Sequence, residues 1–195
     1  MAHPHIALIG KARSGKDTVA TAFIRHAYYT RVAFGDEVKV ALIRLDPYVS
    51  APAPRRSTEV PIRLADIIRS IGWERAKDVF PEVRRLLQEY GQAVRELDPE
   101  FWVRPALARV RQGTQWNMPC VVTDVRYANE LDALREEGAV VVRVERPGAG
   151  LAGDAGAHES ETELDGVTPD HVLHNGGTLA QLRASVRDLY TSLGG

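Results

Sequence analysis

The segment Gly10-Lys11-Ala12-Arg13-Ser14-Gly15-Lys16-Asp17-Thr18 places glycines five residues apart, with a lysine directly after the second. It follows the apolar run His5 to Ile9 and opens a helix-forming stretch reaching to about Tyr29. In that setting successive backbone N–H groups can wrap phosphate oxygens, and the helix N-terminus adds favourable dipole charge. Gly10, Lys11, Ala12, Ser14, Gly15, Lys16, Asp17 and Thr18 are therefore the candidate cradle for the phosphates of ATP, with Lys16 reaching the β and γ phosphates. The strict pattern has a hydroxyl residue straight after the lysine to meet Mg²⁺, whereas this chain has Asp17 there and Thr18 next. A carboxylate is also a hard oxygen ligand, so Asp17 is expected on the magnesium side and Thr18 near the α phosphate. A turn that merely caps a helix is the plainer alternative. Lysine usage argues against it: among 25 basic residues only Lys11, Lys16, Lys39 and Lys77 are lysines, and Lys11 and Lys16 both fall inside this turn. A compact ammonium coordinates differently from a planar guanidinium, so its placement here implies a geometric demand.

Further chemistry-bearing residues sit where strands are expected to end. Asp124 closes the apolar run Pro119 to Thr123, a position from which an acid orients magnesium next to a phosphate-binding turn, or else serves as a turn or capping aspartate. Arg126 follows, able to clamp a phosphate bidentately or to form a surface ion pair. Asp36, after the expected strand Arg31 to Phe34, either holds an acceptor or a phosphate-binding lysine, with Lys39 one helical turn on, or caps the next helix.

The elements that must carry these residues alternate. Leu64, Ile67, Ile68 and Ile71 recur at helical spacing, as do Val83, Leu86, Leu87, Tyr90, Val94 and Leu97, with a turn near Pro81. Ala128 to Glu137 reads as a helix closed by Gly138, and Ala139 to Val144 as a strand buried on both faces. His171 to Leu173 is a short last strand. Thr178 with Gln181 forms a capping box opening a final helix, whose buried stripe is Leu179, Leu182, Val186, Leu189 and Leu193. Ser50 to Arg56 and Pro147 to Ala157 are the stretches expected to be poorly ordered.

With 195 residues, 44% of them hydrophobic, the chain can bury one substantial core, and a single α/β domain is expected. The formal charge of -1 gives no reason to expect a nucleic-acid polymer or a membrane surface as partner. Cys120 is the lone cysteine, which fits a reducing compartment, and no run approaches the roughly 20 apolar residues a bilayer span requires. A cytoplasmic location and a start without a secretory signal are expected.

The turn Gly10 to Thr18, the segment Phe34-Gly35-Asp36-Glu37-Val38-Lys39, the stretch Leu87-Gln88-Glu89-Tyr90-Gly91 running to Arg95 and Phe101-Trp102, the run Asp124-Val125-Arg126-Tyr127-Ala128-Asn129-Glu130, then His158-Glu159-Ser160-Glu161 and Asn175-Gly176-Gly177-Thr178 together resemble the deoxynucleoside monophosphate kinases of bacteriophages. The resemblance covers most of the chain in order. It departs at Gly35-Asp36-Glu37, where Ala-Asp-Pro is more usual, and at Gly91-Gln92, where Gly-Thr is usual. It implies transfer of the γ phosphate of ATP to a deoxynucleoside monophosphate with Mg²⁺, in the host cytoplasm if phage-encoded. The implied fold is a P-loop NTPase three-layer α/β fold: a five-stranded parallel sheet with helices on both faces, a helical monophosphate-binding region over about 47–112 and a lid over about 146–165. Lys16, Arg13, Arg126 and Asp36 then form the catalytic set. Gln88, Arg95 and Trp102 join Asp36, Lys39 and Arg126 as the acceptor pocket, by paired hydrogen bonds to a base edge, a phosphate grip and stacking. Arg146 at the lid entry, with Asn175 and Gly176 after the last strand, is expected near the nucleotide. Closure of the lid would exclude water, which competes as acceptor. Small-molecule substrates are the expected partners, and a homodimer stays open. A kinase of the dephospho-coenzyme A or phosphomevalonate type, or a nucleotide-binding switch, remains the alternative reading.

Overall fold

A computed structural model describes residues 3–52, 59–150 and 159–194. The chain divides into two compact units, Met1–Phe34 with Val103–Gly195, and Gly35–Trp102.

The first unit is built on a five-stranded parallel sheet in the order β2-β5-β1-β6-β7. Its strands are β1 (Ile6–Ile9), β2 (Thr30–Val32), β5 (Cys120–Val122), β6 (Val140–Glu145) and β7 (His171–His174). Every residue of β1 is fully buried, as expected for the centre of a sheet covered on both faces. The pleat sorts its side chains. Ile6 and Leu8 join Val121, Val142 and Val144 under α1 (Lys16–Ala27) and the last helix, α8 (Leu179–Ser192), through Phe23, Leu182, Val186 and Leu189. Ala7 and Ile9 point the other way, with Val32, Val122 and Val141, onto α5 (Val103–Gln115) and α6 (Ala128–Glu136) through Val103, Val110, Leu131 and Leu134. The short α7 spans Glu159–Thr162. The three-layer arrangement expected from the sequence is therefore present.

Local signals behave as their chemistry dictates. Thr178 caps α8 by accepting from the Gln181 backbone N–H, and the Gln181 side chain accepts from the Thr178 N–H in return. The stripe expected on this helix needs one correction: Leu179, at its first position, is 49% exposed, so burial starts at Leu182. At the start of β1, buried His5 accepts the Cys120 N–H on Nδ1 at 2.9 Å and meets Thr114 Oγ1 through Nε2 at 2.8 Å, tying β1, β5 and α5 together.

The second unit holds α2 (Gly35–Leu45), a two-stranded antiparallel ribbon of β3 (Tyr48–Pro52) and β4 (Glu59–Arg63), α3 (Leu64–Val79) and α4 (Pro81–Leu97). Its own core gathers Val38, Leu42, Val49, Leu64, Ile67, Val83 and Trp102. Helix α3 kinks at Gly72, whose φ of 73° is outside the helical region. The ribbon is a feature that sequence reading missed. Ser50 to Pro52, expected to be poorly ordered, pairs with Glu59 to Pro61, while 53–58 lie outside the described residues. Arg63 stacks on the Tyr48 ring across the ribbon, 4.0 Å from its centroid.

Candidate functional site

The carboxyl ends of the parallel strands bring the first unit's candidate residues together, as the rule for open α/β sheets requires. The turn Gly10 to Thr18 leaves β1, Asp124 and Arg126 leave β5, Arg146 leaves β6 and Asn175 leaves β7. The turn's shape requires glycine at two positions. Gly10 has φ 131°, and a Cβ there would lie 2.4 Å from the Val144 carbonyl oxygen. Gly15 has φ 106°, and its Cβ would lie 2.4 Å from Asn175 Nδ2. That amide instead donates to the Ser14 carbonyl at 2.8 Å, so Asn175 holds the back of the turn.

Gly15 is also the N-cap of α1 and, having no side chain, cannot itself cap this helix start. The first N–H groups of a helix need partners from outside it, and a start with a glycine N-cap suits phosphate oxygens. Beside it, the buried Ser14 hydroxyl has no hydrogen-bond partner among the described residues, a cost that a bound oxygen would relieve. Both observations fit a nucleotide's phosphates.

Half-buried Lys16 turns its ammonium onto the carbonyls of Gly10 and Lys11 at 2.6 and 2.8 Å. Burial lowers its pKa to about 8, helped by the positive charge of Arg126 and opposed by Glu161, Asp17 and Asp124. Those same influences identify the charges around the ammonium. A pocket lined by Gly10, Lys16, Arg126, Arg143, Glu161 and Asp165 opens here. Asp124 Oδ1 accepts the Phe34 N–H at 2.8 Å, linking the ends of β5 and β2. The backbone of Arg126 is fixed by buried Glu130, whose Oε2 accepts its N–H at 2.8 Å and that of Tyr127 at 3.2 Å. Asp17 and Asp124 are hard oxygen donors near Lys16. Among the described residues no group of three or more His, Cys, Asp or Glu side chains is placed to hold a metal, so a magnesium here would depend on phosphate oxygens for much of its coordination.

Glu161 is expected from the sequence only as part of the lid segment, and its partners are what sequence reasoning missed. Its carboxylate, only 5% exposed, accepts the Ala12 N–H at 3.0 Å and pairs with the Arg126 guanidinium. Lys11 reaches the same segment, donating to the Glu161 carbonyl at 2.7 Å and to Asp165 at 2.6 Å. Arg143, on β6, donates to the carbonyls of Leu164 and Val167. These contacts cross up to 154 residues of chain, so no local spacing announces them.

Other expected residues are placed differently. Arg13 has a left-handed backbone, φ 63°, and an exposed side chain. Arg146 and Gly176 are exposed. Of the expected lid, 151–158 lie outside the described residues; the Gly150 N–H before them donates to the Ala12 carbonyl at 2.9 Å.

In the second unit, Lys39 pairs with Asp36 at 3.1 Å at the start of α2. Gln88 and Arg95 are half-buried on α4. Trp102 corrects the expectation of a ring stacked on a base: it is 3% exposed, its indole N–H donates to the Gly91 carbonyl at 3.0 Å, and Phe101 and Tyr90 flank it. A large aromatic with a satisfied polar handle is a core residue.

The model of the family described as deoxynucleotide monophosphate kinase matches residues 54–186, two thirds of the chain. The chain belongs to that family. The matched stretch carries Asp124, Arg126, Glu161 and Asn175, while the turn Gly10 to Thr18 precedes it. The deoxynucleotide monophosphate kinase of Enterobacteria phage T4 is 31% identical over 132 residues, 65% of this chain and 50% of that protein. The uncharacterized protein ORF77 of Ictalurid herpesvirus 1 is 32% identical over 102 residues, 51% of this chain and 44% of that protein. The chain thus spans about half the length of the relatives it matches. A dephospho-CoA kinase from Campylobacter jejuni aligns with a TM-score of 0.55 at 9% identity, over 99% of this chain and 98% of that one, a likeness of fold. No helix among the described residues is long and apolar enough to cross a membrane.

Proposed function

We propose that the chain transfers the γ phosphate of ATP to a deoxynucleoside 5'-monophosphate. An acceptor phosphate oxygen forms the new bond to the γ phosphorus as the bond to the bridging oxygen breaks, giving ADP and the deoxynucleoside diphosphate. The observation that carries this reading is the convergence of Lys16 and Arg126 on one pocket beside a helix start with a glycine N-cap, in a chain of this family. Such a reaction needs little covalent help from the protein. The acceptor phosphate, with a second pKa of about 6, is already largely dianionic, so positioning and neutralisation of charge supply the rate. Lys16 and Arg126 are the groups proposed to take the γ phosphate, with the amides of the turn on the remaining oxygens and Arg13 beside them. Asp17 and Asp124 would hold magnesium, which when bound neutralises charge on the phosphates. Asp36, Lys39, Gln88 and Arg95 are proposed for the monophosphate, and Arg146, Asn175 and Gly176 for the remainder of ATP.

The test is ADP release with ATP and a panel of ribo- and deoxynucleoside monophosphates, with dephospho-coenzyme A alongside. ADP formation that depends on a deoxynucleotide supports the reading. Dependence on dephospho-coenzyme A alone, or ATP binding without any acceptor dependence, overturns it.

A further inference from the structure

We propose that Glu161 is a positioning residue for the donor site: its carboxylate holds the Arg126 guanidinium and the Ala12 amide in one arrangement, so that the arginine meets the phosphates with its direction already set. The inference rests on the donor-site reading given above and adds a residue to it.

The geometry is specific. One carboxylate oxygen, Oε2, accepts the Ala12 N–H, and the other, Oε1, pairs with Arg126 Nη1. The carboxylate is therefore shared between the phosphate-binding turn and the strand-end arginine. Glu161 is itself held, because Lys11 donates to its carbonyl and also to Asp165, which follows α7 in the chain. Arg126 is fixed at both ends: Glu130 accepts its backbone N–H, and Glu161 takes its guanidinium. A free arginine side chain samples many rotamers, and ordering it in advance removes that entropy cost from the binding step. A carboxylate 5% exposed has given up most of its water, which is sustainable only with such charge-assisted partners. The competing idea is that Glu161 is an internal anion occupying the place of a phosphate, in which case its removal would tighten ATP binding.

The test is a double-mutant cycle on the full chain, reading kcat and KM for ATP. It compares the wild type, Glu161→Ala, Arg126→Ala and the double variant, with urea midpoints measured in parallel. Glu161→Ala is expected to lower kcat/KM by about tenfold in the wild-type background and by less than about twofold once Arg126 is gone, since coupled residues are non-additive. An equal loss in both backgrounds overturns the proposal, and so does tighter ATP binding by Glu161→Ala. Glu161→Gln keeps an oxygen for the Ala12 N–H and loses the charge. It is expected to fall with the alanine variant, it carries the cycle if the alanine variant does not fold, and wild-type activity in it overturns the proposal. If no monophosphate supports turnover, the proposed reaction fails separately, and the cycle is read from ATP dissociation constants by calorimetry. Non-additivity there supports the positioning role, additivity overturns it, and a wild type that does not bind ATP overturns both.

Discussion

In the turn after β1 the groups assigned to phosphate are mostly backbone, held by their neighbours: Asn175 behind Ser14, Glu161 on Ala12, and the Lys16 ammonium on the carbonyls of Gly10 and Lys11. In the second unit the groups assigned to the acceptor are side chains on separate helices, Asp36 and Lys39 on α2 with Gln88 and Arg95 on α4. The first arrangement is written in a few consecutive residues, because steric limits leave few sequences able to trace such a turn. The second depends on which helix face is covered, and one expected member, Trp102, belongs to the core instead.

The largest expected effect falls on the turn. Lys16→Ala should lose at least about two orders of magnitude in kcat/KM, about 3 kcal/mol, as when one preorganised charge contact is removed. Its urea midpoint should change little, since a desolvated ammonium is lost along with its hydrogen bonds. A well-folded variant of near-normal activity would break the contrast between the two regions. Next comes Gly15→Ala, which forces a side chain into a left-handed backbone and against Asn175. About 1–3 kcal/mol of stability should be lost, with weaker ATP binding, measured by urea unfolding and calorimetry.

Trp102→Phe sharpens the comparison from the other side. Loss of the hydrogen bond to the Gly91 carbonyl should cost about 1 kcal/mol in unfolding free energy and leave the acceptor KM unchanged. A KM raised manyfold at unchanged stability would return the ring to the acceptor pocket.

The difference in legibility follows from the same physics. Cover on both faces made β1, β5 and β6 visible as apolar runs, and Thr178 with Gln181 announced α8. The β3–β4 ribbon escaped although Val49 and Ile62 alternate with exposed neighbours, because Pro52 and Pro61 interrupt its two short strands. Helix α5 escaped as well, although its buried side is plain once Val103, Leu107 and Val110 are seen against the sheet. In the site, Lys16 and Asp124 could be found from strand-end position. Glu161 was visible only as part of the lid segment, because its partners Ala12 and Arg126 are remote in sequence and a four-residue helix carries no spacing signal.

The smallest expected effect lies away from both regions. Burial lowers the His5 pKa, with Glu137 opposing, so the unfolded chain binds the proton more readily than the folded one. His5 therefore supports the fold fully above the ordinary histidine pKa of about 6.5, and that support is lost as pH falls from there through the lowered value. Urea midpoints should decline below that pH in the wild type and less steeply in His5→Asn.

The central claim is that the turn and Arg126 deliver a phosphate to another phosphate rather than to water. Following label from [γ-³²P]ATP by chromatography tests this most directly. Label is expected in the deoxynucleoside diphosphate, abolished in Lys16→Ala; label found only in inorganic phosphate, or transfer surviving in Lys16→Ala, would contradict the account.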